Sequence, residues 1–378
     1  MNPFKRNNDM RYILYLTPIF FLLCCSKKEE DASNNISVEN NSTEKKAAPE
    51  LELEVINSNP SGPELKYEVI DGKAIIVRYS GTAESYTIPA TIEGVPVSEI
   101  KRRAFENCTS LKSIIIGENV TTIGPWAFSG CSGLSSIDIP ESVTSIGNLA
   151  FDKCVALEAI NVEENNNNYS SEEGVLYDSG KTKLVQCPIG KVGELNVERG
   201  VKYINDFAFR SCEKITSINF NNEVQLIGNG AFQGCTALNQ IFLPESINTI
   251  GQMAFYKCEN LTSIELPENI KSIGAQTFSN SGLRTIQFPS GILSISKGAF
   301  FDCRELEEII IPESVQSIGR GAFSRCEKLE SVTFLGDAPS ASSDAFAGTS
   351  PTVYYTSGTQ GWSDQFSGLD VQEKPAQP

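Results

Sequence analysis

Ile123-Gly124-Pro125-Trp126-Ala127-Phe128-Ser129-Gly130-Cys131 is one copy of a phrase, Ile-Gly-x-x-Ala-Phe-x-x-Cys, that returns along this 378-residue chain. Its Ala-Phe pair stands at 104–105, 127–128, 150–151, 208–209, 231–232, 254–255, 299–300, 322–323 and 345–346, with Thr277-Phe278 as a variant. Successive Phe positions are 23, 23, 58, 23, 23, 23, 22, 23 and 23 residues apart. A fixed period of this size marks a solenoid, in which each repeat is one coil stacked on the next.

The residues around the phrase give each coil its parts. In Leu261-Thr262-Ser263-Ile264-Glu265-Leu266-Pro267, Ile264 and Leu266 alternate with Ser263 and Glu265. That is strand periodicity with one face buried. Proline closes the strand here and at Pro140, Pro244, Pro289 and Pro312, because it cannot donate to a ladder. A short extended piece is expected at Ile270–Ile273, followed by one helical or 3₁₀ turn around the Ala-Phe pair. The Phe column is expected inside, each ring burying about 150–250 Å². Gly124, Gly147, Gly228, Gly251, Gly274 and Gly319 follow the second-half Ile, where a positive φ would explain them. Asn205 tolerates such a φ, whereas Lys101 and Ser296 fit it less well. Stacked strands about 4.8 Å apart would form one parallel sheet and one continuous core, over about eleven coils and a cap.

The unit resembles the BspA-like (Treponema pallidum-type) leucine-rich repeat of bacterial surface proteins, over roughly Tyr86 to Thr349. The resemblance implies a leucine-rich repeat solenoid with a parallel β-sheet on its concave face and short turns on its convex face. It also implies adhesion to host proteins or to other bacteria. Two places break the ruler. The long step from Phe151 to Phe209 holds Val175-Leu176-Tyr177 and Leu184-Val185-Gln186 around a turn, which predicts a β-hairpin replacing one convex arc. At Ser281-Gly282 one residue is missing and Ser stands in the Cys column.

The ends suggest export. Lys5, Arg6 and Arg11 precede a short apolar run, Tyr12 to Leu23, below bilayer-spanning length. The run ends in Leu22-Leu23-Cys24-Cys25-Ser26, which resembles a lipobox, with Cys25 as the acylated residue and Cys24 as the alternative. Two or more acyl chains would anchor firmly, where one binds marginally. Ser26 to Pro63 is polar and poor in apolar residues, as a disordered tether would be. Lys27-Lys28-Glu29-Glu30-Asp31 resembles a charged surface-export signal, and reads equally as the start of a solvated linker. The expected organisation is a signal peptide at 1–24, a tether at 25–63, and a cap with a degenerate first coil at 64–103. The solenoid follows at 104–349, with its insertion near 163–193, and a cap and tail at 350–378.

Composition narrows the chemistry. There is no His in the chain, which removes Ser-His and Cys-His catalysis and the commonest metal ligand. No phosphate loop, dinucleotide fingerprint or calcium loop is present, so no enzyme, cofactor or metal is expected. Glu163-Glu164 and Glu307-Glu308 read as a solvated rim rather than a paired acid and base. A net charge of −16 disfavours nucleic acid. Eight cysteines share one column, at 108, 131, 154, 212, 235, 258, 303 and 326. Stacked side chains point the same way, so buried free thiols are expected, with disulfides as the alternative.

A partner would meet the concave strands. Their mid-strand column includes Asp138, Asn161, Asn219, Phe242, Glu265, Gln287 and Ile310. Phe242 is an aromatic at a solvent-facing position, either a contact anchor or a tolerated exposed ring. With Asn239, Glu265 and Gln287 it defines the candidate binding face. The expected function is a lipid-anchored, adhesin-like binding protein at the outer membrane or cell surface, meeting a host or bacterial surface protein. The alternative is a glycan-binding or nutrient-capture lipoprotein.

Overall fold

The computed structural model describes residues 54–56 and 65–374. Cys24, Cys25 and the signal region lie outside the described residues, as does most of the tether. The described chain is a β-solenoid of about twelve turns.

Each coil contributes strands to two parallel ladders. The first is built from the Leu-x-x-Ile-x-Ile stretch: Ser136–Ile139 pairs with Ala159–Val162, Ile215–Asn219 with Gln240–Phe242, and Glu308–Ile311 with Ser331–Phe334. The second is built from two-residue strands, such as Thr122–Ile123 on Ser145–Ile146 and Leu226–Ile227 on Thr249–Ile250. The sheet expected to be single is therefore two ladders, each interrupted along its length.

A third set of bonds runs through the Ala-Phe arcs, and it corrects the expected helical turn. No described residue is helical. Within one arc Ala127 N donates to Gly124 O, Ser129 N to Trp126 O and Cys131 N to Phe128 O, at 3.0–3.1 Å. The amides between them donate to the next coil, Phe128 N to Ala150 O at 2.8 Å and Gly130 N to Asp152 O at 2.7 Å. This alternation needs left-handed residues two places before and two places after each Phe of the column from Phe105 to Phe323. Trp126 (φ 56°) and Gly130 (φ 77°) serve Phe128, and Met253 and Lys257 serve Phe255. A non-glycine residue there costs about 1–2 kcal/mol, and inter-coil bonds offset it.

The glycines after the second-half Ile do not take positive φ, contrary to expectation. All but Gly274 are glycine because backbones meet there. A Cβ on Gly124 would lie 2.6 Å from Arg102 N, and one on Gly251 would lie 2.6 Å from Asn229 N.

The Phe column is interior. Phe105, Phe128, Phe151, Phe209, Phe232, Phe255, Phe278, Phe300 and Phe323 are fully buried. Neighbouring rings stack at 5.0–5.9 Å. Tyr79 begins the column, 5.0 Å from Phe105. At the insertion Cys187 takes the ring's place. Its amide donates to Ala208 O at 2.7 Å, just as Phe105 N donates to Ala127 O.

The insertion itself differs from the expected hairpin on a convex arc. Tyr169–Glu172, Val175–Asp178 and Lys183–Gln186 form an antiparallel meander. Its middle strand crosses the interior and is buried on both sides. Leu176 packs with the N-terminal core, while Val175 and Tyr177 pack with the C-terminal core. The turn reaches the first ladder, where Ile160 N donates to Gly174 O at 2.8 Å. One continuous core is thus divided in two.

Antiparallel strands close the N-terminal end: β1 (Glu54–Ile56), β2 (Leu65–Ile70) and β3 (Lys73–Tyr79). β1 falls inside the stretch whose composition reads as tether. At the other end Thr352–Thr356 is followed by a further parallel strand, Leu369–Lys374. Trp362 and Phe366 pack on Phe334 there, each at 5.0 Å.

Candidate binding face

The outward column of the first ladder changes character along the solenoid. In the N-terminal half its polar side chains satisfy one another across coils. Asn161 Nδ2 donates to Asp138 Oδ1 at 2.8 Å, and Asn219 Nδ2 to Asn196 Oδ1 at 2.9 Å. Asn219 also donates to Glu194. From Phe242 to Ile310 no such ladder of side chains exists among the described residues. A surface whose polar groups are already paired offers a partner less than one whose groups are free.

Phe242 ends the strand Gln240–Phe242 and is 64% exposed, so its solvent-facing position is as the alternation predicts. Its backbone pairs with Asn219. Glu265 and Gln287 face each other through an isolated parallel bridge and are exposed. Asn239 is exposed immediately before the strand, with its amide bonded to Thr216 O at 3.1 Å. Phe242 and Glu265 lie on successive coils, yet no backbone pairing joins their strands. A seam separates them. Asn248 N donates to Gln225 O and Gly251 N to Ile227 O. Lys271 and Gly274, one coil on, make no equivalent bond. The arc stays closed at the seam, with Phe255 N donating to Thr277 O at 2.8 Å.

Sequence reasoning missed a hollow beyond the seam. It is about 600 Å³ and is lined by Thr285, Gln287, Phe288, Ile310, Pro312 and Leu335, with carboxylates at its rim. The available signals were Ile310, an aliphatic in the outward mid-strand column, and Leu335, which stands where earlier coils carry proline.

No group of three or more Cys, Asp or Glu among the described residues could hold a metal ion. Glu163 is engaged structurally, its Oε2 accepting from Glu141 N at 2.8 Å.

The nine described cysteines are free and buried. Their thiols do more than fill space. Cys131 Sγ donates to Phe105 O, Cys235 to Phe209 O and Cys258 to Phe232 O, each at 3.1 Å. Burial pushes the thiols of Cys235, Cys258 and Cys326 well up, and that of Cys303 to about 11. An unfolded thiol titrates near 8.5. The stabilisation from these neutral thiols is full below that pH and is lost as pH rises through the folded values, because only the unfolded chain ionises first. A fragment from Leu51 to the C-terminus should therefore show no reactive thiol at pH 8 and nine in denaturant, and should weaken above about pH 9. Four disulfides in the denatured thiol count would overturn this reading.

Comparison with known proteins places the chain in a family. The BspA-type leucine-rich repeat region model, in six copies, matches residues 79–188, 187–307 and 293–357. The chain belongs to the BspA-type leucine-rich repeat family. No curated protein matches it. A leucine-rich cell surface protein from Faecalibacterium prausnitzii is 24% identical, covering 76% of this chain and 95% of that one, with a TM-score of 0.40. A leucine-rich repeat protein from Eubacterium ventriosum is 21% identical, covering 84% and 99%, with a TM-score of 0.48. The T. pallidum leucine-rich repeat protein is 24% identical over 70% and 87%, with a TM-score of 0.26. These likenesses concern the fold alone.

Proposed function

We propose that this protein is a lipid-anchored, adhesin-like binding protein. In this reading it is displayed on a bacterial surface, where its strand face meets a protein of the host or of another bacterium. The observation that carries the reading is Phe242: a large ring, 64% exposed, on a face whose neighbouring side chains Glu265 and Gln287 make no side-chain hydrogen bonds. Aromatic side chains are favoured contact anchors. The repeat family supplies a scaffold, and the function resides in the surface it carries.

The first test is capture of surface proteins by the Leu51–Pro378 unit, which keeps β1 on its sheet. Changing Phe242 to Ser should weaken binding to the captured protein by about 2 kcal/mol or more, as loss of a contact anchor does. Its melting temperature should hardly change, because the ring faces solvent. Unchanged affinity would move the contact away from Phe242, and recovery of glycans alone would favour the capture reading. For the anchor, Cys25→Ala should abolish acyl labelling and release the full chain from membranes. Label lost instead in Cys24→Ala would move the site by one residue, and label kept in both would remove the anchor.

A further inference from the structure

The hollow beyond the seam is apolar at its floor and acidic at its rim. Phe288 packs edge-on against the core ring of Phe300 at 5.8 Å, so the floor is fixed from beneath. Ile310 and Leu335 are 54% and 46% exposed, Ile310 in the outward mid-strand column and Leu335 where earlier coils carry the strand-closing proline. Two exposed aliphatics beside a half-buried ring, in a depression of about 600 Å³, leave apolar surface uncovered by this chain.

The rim has one sign of charge. Glu268, Glu308 and Glu313 all line the hollow. Glu268 is engaged by Ser290, whose amide and hydroxyl donate to Oε2 at 3.2 and 3.0 Å. Among the described residues, the carboxylates of Glu308 and Glu313 have no hydrogen-bond or ion-pair partner. Elsewhere the chain does pair its acids: Glu305 with Lys328, and Asp344 with Arg320. A smaller residue in the coil of Phe288 widens the opening. At the position where neighbouring coils carry Glu268 and Glu313, this coil carries Ser290, so a small side chain sits between two large ones.

Carboxylates without cations around an uncovered apolar floor are complementary to one kind of occupant. It brings an apolar side chain for the floor and positive charge for the rim. We propose that this hollow is a docking site for a basic polypeptide segment, in which one or two aliphatic or aromatic side chains are flanked by lysine or arginine. The inference rests on the binding function proposed above and names the chemistry of the partner. It places the specificity in the hollow, one coil beyond the seam from Phe242. An acidic segment is repelled by the rim, and a polar one leaves the floor wet.

The probe is a fluorescent synthetic peptide of leucine and phenylalanine alternating with lysine, titrated onto the full chain by anisotropy. Saturable binding is expected, weakening as salt rises from about 0.05 to 0.3 M because the rim charges are exposed. The double variant Ile310→Ser, Leu335→Ser should weaken it at least about tenfold, and so should the double variant Glu308→Gln, Glu313→Gln. Both pairs are at the surface, and an unchanged melting temperature checks that folding survives. A peptide with glutamate in place of lysine should not bind. The proposal is overturned by absence of saturable binding, by equal binding to the Ile310 and Leu335 variant, or by equal binding of a lysine peptide with serine in place of its apolar residues. A captured surface protein whose affinity survives both double variants would leave the display function standing and remove the hollow from it. Saturable, variant-sensitive peptide binding with no surface protein captured would do the reverse.

Discussion

Replacing Phe255 by alanine should lower the stability of the solenoid by about 3–5 kcal/mol, the range for truncating a buried ring. Phe255 is fully buried, between Phe232 at 5.2 Å and Phe278 at 5.4 Å, with both pairs nearly parallel. The substitution removes two stacking contacts and leaves a void that coils tied together by inter-coil bonds cannot close. Urea unfolding of wild type and variant measures the difference. A loss below about 1 kcal/mol would mean that the ring does not carry the load its burial implies.

Gly251→Ala should be as damaging as a ring deletion, about 3 kcal/mol or more, for the opposite reason. Its new Cβ would sit 2.6 Å from Asn229 N and from Gly228 C, and both atoms are backbone. No side chain can rotate away, so the two coils must separate. Gly274, one coil on, provides the control. Its nearest neighbours are Thr277 Oγ1 at 3.1 Å and Gln252 Cα at 3.5 Å. There a methyl group costs little, and the unfolded chain loses entropy, so Gly274→Ala should fall within about 1 kcal/mol of wild type. Equal unfolding midpoints for the two variants would sink the close-approach explanation of this glycine column.

The repeat made the fold legible because a solenoid writes its core in the sequence once per coil. The Phe column, the Leu-x-x-Ile-x-Ile strands and the exposure of Phe242 follow from period and alternation alone. What did not follow is where two backbones meet or turn. A glycine signals both a positive φ and a close approach, and at Gly124 only coordinates separate them. The left-handed residues around each Phe include Trp126, Leu149 and Met253, whose side chains do not announce that conformation. The meander was visible as a break, but its burial on both sides was not. Val175-Leu176-Tyr177 is an apolar run that suits a surface hairpin with one dry face as well as a strand crossing a core.

The binding face was legible as a column and illegible as a shape. Asn239, Phe242, Glu265 and Gln287 can be read from the register. The hollow needs the geometry of the stack, since Ile310 and Leu335 come from two later coils and line it with Phe288 only after stacking.

The seam between the coils of Phe242 and Glu265 gives the molecule an uneven elasticity. Elsewhere a coil that leans away from its neighbour must break bonds along the strands and the arc together. Here the amides of Lys271 and Gly274 hold no carbonyl of the previous coil, while the arc bonds and the stacked rings of Phe255 and Phe278 persist. Among the described residues only two side-chain bonds latch the strand side, Glu268 N donating to Glu245 Oε2 at 3.2 Å and Asn269 Nδ2 to Glu245 O at 3.0 Å, so the arc acts as a leaf spring and the strand side as a lightly latched jaw. Bending is cheapest about this line. Phe242 rides on one stiff arm and the acidic hollow on the other, so flexing the spring changes the span between the two surfaces without distorting either.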